Sequence, residues 1–183
     1  MFAYGGISHI GLILVGVSLG NSTAMAGGLF YLINDSVMQA TLFMIAGAVA
    51  HYHGAQTLDD LRGVSSRSPW LTGALVVVAI SMVGLPPTGG FFGKWNIVLG
   101  ALEAQHYLAV FGVLASTLLT LGYFLRLFTC WFHQPVNVQT EQLQVAVPLR
   151  ISLGIASIAM IVLGLASDSI VQVLLESLSS GRI

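Results

Sequence analysis

The feature that most constrains this chain is a succession of long apolar segments that contain almost no charged residues. Of its 183 residues, 56% are hydrophobic and 7% are charged, whereas a soluble globular domain carries about 25% charged residues. The composition therefore predicts an all-α integral membrane protein and argues against a soluble enzyme. Six basic residues against seven acidic ones also leave no basic face for phosphates, which argues against a nucleic-acid partner.

Five apolar segments approach or exceed the length of about 20 residues that a helix needs to cross a lipid bilayer. They are residues 5–19, 24–50, 70–102, 107–132 and 147–166. The first has no basic residue before it and no clear cleavage site after it, which favours a true span over a secretory signal. Residues 168–178 are predicted to form an interfacial helix end. The sequence predicts one transmembrane domain over residues 1–183, with a bundle of five to six helices.

The positions of the arginines predict the orientation of this bundle. With five spans, the N-terminus and the loops 51–69 and 133–146 share one side of the membrane. Arg62 and Arg67 lie on that side and Arg126 and Arg150 border it, whereas the other side has only Arg182. The positive-inside rule then puts the N-terminus and the 51–69 loop in the cytoplasm. We expect a multi-pass protein of the inner (cytoplasmic) membrane.

The third apolar segment is interrupted by a cluster of prolines and glycines. Its two halves, residues 70–85 and 91–102, are each too short to cross a core of about 30 Å. Pro86 and Pro87 remove two backbone donors, and Gly89 and Gly90 permit the chain to turn before a helix resumes. The pattern predicts one span that is discontinuous at Pro86-Pro87. Transporters use such broken helices to build ion sites inside the membrane.

Lys94, the only lysine of the chain, follows this interruption by four residues. One interpretation is an interfacial lysine whose amine reaches the lipid headgroups beside the aromatic anchor Trp95. Against it, no other charged residue occurs before Glu103, so Lys94 lies more than two helical turns inside the predicted membrane edge. An amine at that depth can gain and lose a proton. We therefore predict proton transfer at Lys94.

A polar stripe runs along the second apolar segment. Tyr31, Asp35 and Gln39 are spaced by four residues and share one helix face, with Asn34 beside them. An aspartate at the centre of a span needs a partner or a proton, which marks it as a functional candidate. The alternative is a hydrogen-bonded patch that only holds helices together. We predict that Asp35 is the counter-charge of Lys94 and that His9 in the first span extends the path.

The sequence gives little sign of a metal or cofactor site. His51 and His53 lie close together but lack further nearby ligands, and the single cysteine, Cys130, cannot form a multi-cysteine site. There is no glycine-rich phosphate loop, catalytic triad or haem-type histidine pair. We expect no cofactor in this chain.

Three sequence blocks resemble the antiporter-like subunits shared by Mrp-type cation/proton antiporters, respiratory complex I and membrane-bound hydrogenases. Residues 3–11 (AYGGISHIG) are similar to the family's AYSSISHIG block, and residues 31–43 (YLINDSVMQATLF) to its next helix. The block from Gly84 to Trp95 (GLPPTGGFFGKW) is the most specific match. In that family this lysine lies on a broken helix and takes part in proton transfer.

The resemblance covers nearly the whole chain but only the C-terminal part of such a subunit. Family members have about fourteen helices in two inverted halves, and the N-terminal half carries its own glutamate and lysine pair. Asn34 stands where the family usually has histidine, and Gln39 where it usually has lysine. Because a glutamine cannot ionise, a proton relay through this helix would have one ionisable residue fewer than in the family.

The resemblance implies a membrane subunit that carries part of a proton path in a cation/proton antiporter or a complex I-like assembly. It implies no catalysis by this chain alone, and any redox chemistry, as in an NADH:quinone oxidoreductase or a hydrogenase, would belong to partner subunits. One partner would supply the missing N-terminal half. Two alternatives stay open, a non-conducting structural membrane subunit and a truncated fragment of a longer antiporter-like protein.

Overall fold

The regular structure of the chain is entirely helical in the residues that the computed structural model describes, 2–55, 57–133 and 145–180. This confirms the predicted all-α class. In chain order, eight α-helices and one 3₁₀ turn (Asp59–Leu61) are formed there, the α-helices being α1 (Phe2–Ser18), α2 (Ser22–His53), α3 (Val64–Arg67), α4 (Pro69–Val83), α5 (Gly89–Glu103), α6 (Tyr107–Phe132), α7 (Val147–Leu165) and α8 (Ser167–Ser179).

Three of these helices are long and apolar enough to cross a membrane on their own. They include Ser22–Tyr52 of α2, all of α6 and all of α7, and a segment bent by 110°, Asp59–Arg67 with Pro69–Val83, raises the number to four if it counts as one span. The sequence predicts five to six. The numbers differ because α1 has 17 residues and α4 and α5 have 15 each, which is short for a straight span.

The long helix α2 packs against α1, α4, α5, α7 and α8. Asn21 caps its start by accepting a hydrogen bond from the Ala24 N–H at 2.8 Å. Helix α5 runs antiparallel to it, because Gly100 contacts Ala24 near the start of α2 whereas Gly89 contacts Asn34, ten residues further on. Helix α1 is also antiparallel to α2. Gly16, near the end of α1, contacts Ala24 at the start of α2, whereas Gly6, near the start of α1, contacts Gln39 further along α2.

Helices α4 and α5 both pack against α2, and they meet each other beside Asn34. Ser81 near the end of α4 and Gly89 at the start of α5 both contact Asn34. The interruption between them, residues 84–88, lies beside the middle of α2. The predicted break is therefore present, but Gly84 rather than a proline ends α4: it adopts a left-handed conformation (φ 86°) and donates to the Ile80 carbonyl.

Two other regions differ in detail from the sequence-based expectations. Residues 51–69, predicted as a loop, begin with the last turn of α2, which ends at the left-handed Gly54, and contain the 3₁₀ turn and α3. The tail forms the separate helix α8, which packs its Val171 against Ala26 and Phe30 of α2. The interfacial position of this helix stays a prediction.

Candidate functional site

The amine of Lys94 is buried at the junction between α4 and α5. Lys94 lies in the second turn of α5 and is 5% exposed. Its Nζ donates to the carbonyl oxygens of Met82 at 2.7 Å and Val83 at 3.3 Å. Both carbonyls belong to the last turn of α4, where backbone acceptors have no partner within the helix. A helix C-terminus also carries partial negative charge, so this end of α4 stabilises a protonated amine.

Two glycines permit the close packing of the start of α5. A Cβ at Gly90 would overlap the Ser81 carbonyl oxygen of α4, and a Cβ at Gly89 would lie 2.6 Å from Oδ1 of Asn34 on α2. Helix α5 can therefore begin in contact with both neighbours only because these positions lack side chains. Of the predicted helix-break residues, Gly90 thus allows α5 to approach α4 and Gly89 allows it to approach α2.

A second polar contact joins α1 to α2. Nδ1 of His9 lies 2.7 Å from Oδ1 of Asp35, and both side chains are buried. Nε2 of Gln39 approaches the same Oδ1 at 3.5 Å, at the limit of a hydrogen bond. If Asp35 is a carboxylate, Nδ1 of His9 carries the hydrogen; if His9 Nδ1 accepts, Asp35 is protonated. The pair can hold a proton on either partner.

The ring of Tyr31 is close to both this pair and Lys94. Its centroid is 5.6 Å from that of the His9 ring, in an edge-on arrangement, and 5.9 Å from Nζ of Lys94. The latter distance is within the range of a cation–π contact. Tyr31 is therefore near both the His9 ring and the Lys94 amine from one position on α2.

Asp35 and Lys94 themselves do not form a direct ion pair in the described part of the chain. The carboxyl group of Asp35 contacts the His9 ring, and the amine of Lys94 donates to backbone carbonyls at the helix break. The two groups still interact electrostatically. The expectation that Asp35 is the counter-charge of Lys94 therefore stays a prediction; among the described residues His9 on α1 makes the close contact with the Asp35 carboxyl group, and α4 supplies uncharged acceptors to the amine.

Asn34 and Gln39 complete the polar stripe of α2. Nδ2 of Asn34 donates to Oγ of Ser81 at 3.3 Å, which links α2 to the last turn of α4. Several buried polar atoms around the site have no protein partner among the described residues, namely His9 Nε2, Tyr31 Oη, Asn34 Oδ1, Gln39 Oε1 and Tyr123 Oη. Buried polar groups without a protein partner are usually hydrogen-bonded to water.

Sequence reasoning missed three participants. The carbonyls of Met82 and Val83 are backbone atoms and leave no signal in the residue type. Tyr123 of α6 also reaches the site: it interacts electrostatically with Asp35, and its hydroxyl faces Gly5 of α1. The signal for Tyr123 was its place on the polar side of α6, near Thr120. Within the described ranges, no three His, Cys, Asp or Glu side chains converge on a metal-binding position.

A sequence model of one membrane-protein family, described as NADH:quinone oxidoreductase/Mrp antiporter, transmembrane, matches residues 1–120. This range contains the polar stripe, the helix break and Lys94. The chain belongs to the NADH:quinone oxidoreductase/Mrp antiporter family. Membership confirms the resemblance seen in the sequence blocks and agrees with a multi-pass membrane protein of this family.

Relatives in the NADH:quinone oxidoreductase/Mrp antiporter family come from both kinds of system. Subunit N of NADH-quinone oxidoreductase from Desulforudis audaxviator is 32% identical over 185 residues, covering 94% of this chain and 37% of the relative. A Na(+)/H(+) antiporter protein from Alkalihalophilus pseudofirmus is 30% identical over 177 residues, covering 96% of this chain and 36% of the relative. The chain thus spans little more than a third of the length of these relatives.

Solved structures of this family share the fold. A chain of respiratory complex I from Thermus thermophilus with bound NADH matches with a TM-score of 0.84 and 27% identity over 96% of this chain and 38% of that one. A chain of the Mrp complex from a Dietzia species gives a TM-score of 0.84 at 22% identity, over 95% and 41%, which shows the fold alone.

Proposed function

We propose that this chain carries part of a proton-translocation path in a cation/proton antiporter or a complex I-like membrane assembly. The observation that carries the proposal is the buried amine of Lys94, which is held by the last carbonyls of α4 and lies near the same aromatic ring, Tyr31, as His9. Lys94 is the proton-carrying group, and Asp35 modulates it electrostatically.

The chemistry of these groups supports a Lys94 amine that exchanges its proton over one that stays permanently charged. A carboxylate at Asp35 attracts the ammonium form of Lys94, and neutralisation of Asp35 favours release of the proton. His9 can supply the proton that neutralises Asp35, or withdraw it, through its 2.7 Å contact with the Asp35 carboxyl group. Gln39, Tyr31 and Asn34 offer unpaired polar atoms along the route, where they can bind water.

We extend the proposal to the topology, the membrane location and the partners of the chain. The chain forms one transmembrane domain over residues 1–183 with five to six membrane helices, in which α4 and α5 are a single span interrupted at residues 84–88. It lies in the inner membrane with its N-terminus and the 51–69 segment in the cytoplasm. Its partners are lipid and other membrane subunits, including one that supplies the N-terminal half of the family's fold. It needs no cofactor of its own, and redox chemistry belongs to those partners.

The decisive experiment replaces Lys94 in the assembled complex. Lys94→Arg keeps a cation that can bind the Met82 and Val83 carbonyls, but a guanidinium does not release its proton. Arg126→Gln is the matched control, since Arg126 is an exposed cation on α6. Proton flux into inside-out vesicles is followed with a pH-sensitive dye, and the amount of complex is checked by immunoblot. We expect the assembled Lys94→Arg complex to lose the flux and the control to keep it.

The second candidate is a structural membrane subunit that does not move ions. It is favoured by Gln39, which cannot ionise and contacts Asp35 only at 3.5 Å. Full proton flux in the Lys94→Arg complex would support this candidate and contradict the first. A truncated fragment of a longer antiporter-like protein is the remaining alternative; it predicts no stable complex, even with wild-type sequence.

A further inference from the structure

An open groove lies between α4 and α7, away from the polar site. It has a volume of about 330 Å³ and lies on the outer surface of the bundle. Its lining is apolar or small, apart from one serine hydroxyl, and includes Gly73 and Ala74 of α4 and Leu153, Gly154 and Ser157 of α7. Neighbouring positions of α7 that face outward are also apolar and more than half exposed, as at Ile151 and Ile155. The groove therefore opens toward the hydrocarbon of the bilayer.

The groove exists because two glycines face it. A Cβ added at Gly73 would meet no atom within 4 Å, and one at Gly154 would meet only Cζ2 of Trp70, at 3.5 Å. No other described segment fills the space in front of these two positions. A larger side chain there would occupy the groove without displacing a helix.

Arg150 lies on α7 about one turn before the groove lining. Helices α4 and α7 begin together, since Nε1 of Trp70 donates to the Arg150 carbonyl at 3.0 Å. They run in the same direction, since Gly164 near the end of α7 contacts Pro87, which follows the end of α4. Arg150 precedes Leu153, Gly154 and Ser157 by three, four and seven residues, so it lies on the same face of α7 as the groove lining. Its Nε is buried and has no acceptor among the described residues.

We propose that this groove binds one acyl chain of an anionic phospholipid, with the phosphate of that lipid bound by Arg150. A phospholipid joins an anionic group to one end of an apolar chain, and Arg150 lies just beyond one end of the apolar groove. The guanidinium is a donor-only group whose planar fork matches two phosphate oxygens. The starts of α4 and α7 add positive helix-dipole ends at the same place. An apolar helix of a partner would fill the groove but leave Nε of Arg150 without an acceptor.

Two tryptophans of similar exposure make the proposal measurable. Trp70, 53% exposed, forms part of the groove, and Trp95, 49% exposed, lies on α5 outside this groove. The full chain is reconstituted in phosphatidylcholine vesicles that contain brominated phosphatidylglycerol or, at the same mole fraction, brominated phosphatidylcholine. The fluorescence of each tryptophan is obtained as the difference between the wild type and Trp70→Phe or Trp95→Phe.

We expect brominated phosphatidylglycerol to quench Trp70 with an association constant roughly fivefold higher than that of brominated phosphatidylcholine, the effect of one basic residue near an anionic lipid. At Trp95 the two lipids should quench equally. Arg150→Gln should remove the preference at Trp70, whereas the exposed control Arg126→Gln should keep it. Gly73→Leu should reduce quenching of Trp70 by both lipids.

Equal quenching of Trp70 by both lipids in the wild type would overturn the proposal. So would a preference that persists in Arg150→Gln, or a Trp70 that neither lipid quenches, which is the result expected if a protein segment fills the groove. Circular dichroism of each variant checks that the helices are intact. The outcome does not depend on proton flux, so it is independent of the proposed function.

Discussion

The amine of Lys94 lies 2.7 Å from the carbonyl oxygen of Met82, so a side chain of α5 closes the last turn of α4. This contact joins the two halves of the broken segment through a group that can change its charge. A protonated amine donates to both Met82 and Val83, whereas a neutral amine has fewer hydrogens and no charge to set against the end of the helix. Proton loss at Lys94 would therefore weaken the junction between α4 and α5.

His9→Leu is expected to destabilise the fold by about 3 kcal/mol, because it leaves the buried carboxylate of Asp35 without its close donor. Adding Asp35→Asn to the same chain should restore much of that loss, since a neutral amide needs no counter-charge. The free energy of unfolding is measured by titration with a denaturing detergent in micelles. His106→Leu, at an exposed histidine, is the control. A double variant no more stable than His9→Leu would contradict the pairing.

Gly90→Ala is expected to cost about 1–3 kcal/mol, because a Cβ at this position would overlap the Ser81 carbonyl oxygen and push α5 away from α4. Gly122→Ala on α6 is the matched control: its Cβ would meet nothing within 4 Å, and alanine favours a helix over glycine by up to about 1 kcal/mol. The same detergent titration compares them. Equal stability of the two variants would show that α4 and α5 are not in close contact.

Tyr31→Leu should reduce proton flux more than Tyr31→Phe, because phenylalanine keeps the ring that is close to both His9 and Lys94. The hydroxyl of Tyr31 has no protein partner among the described residues and can bind water on the route, so its removal alone should lower the flux by a smaller factor than loss of the ring. Tyr107→Leu, at an exposed tyrosine, controls for loss of a ring elsewhere. If Tyr31→Phe lost as much flux as Tyr31→Leu, the hydroxyl rather than the ring would carry the effect.

Asn21→Ala should destabilise the chain by about 2 kcal/mol through two lost hydrogen bonds. The Asn21 side chain accepts from the Ala24 N–H at the start of α2 and donates to the Gly100 carbonyl of α5 at 2.6 Å. Asn21→Asp keeps the first bond and loses the second, so its loss of stability should be intermediate or, with repulsion between the carboxylate and the carbonyl, larger. Unchanged stability of Asn21→Ala would exclude a link between α2 and α5 at this residue.

The parts of the fold that depend on local chemistry were predictable from the sequence. Consecutive prolines cannot continue a helix and the glycines after them weaken it, so the break near Pro86 follows from the local sequence. A lone lysine in an apolar segment is equally conspicuous. The point at which α4 ends was harder to predict, because Gly84 and Pro86 both terminate helices and only the backbone conformation distinguishes them.

The contacts within the site could not be predicted in the same way. His9 and Asp35 are 26 residues apart, and their meeting depends on how α1 packs against α2. Backbone carbonyls such as that of Met82 have no counterpart in residue type. The sequence therefore indicated which groups were chemically unusual, but not that His9 of α1 makes the close contact with Asp35.

Whether Lys94 gains and loses a proton inside the membrane can be tested directly, because Lys94 is the only lysine of the chain. Lysine labelled with ¹⁵N at Nζ gives a single side-chain resonance in the full chain. We expect this resonance to move between its ammonium and amine positions as the pH is varied, and Asp35→Asn to shift the midpoint of the change. A resonance that stays at the ammonium position over the whole pH range in which the fold persists would contradict this expectation.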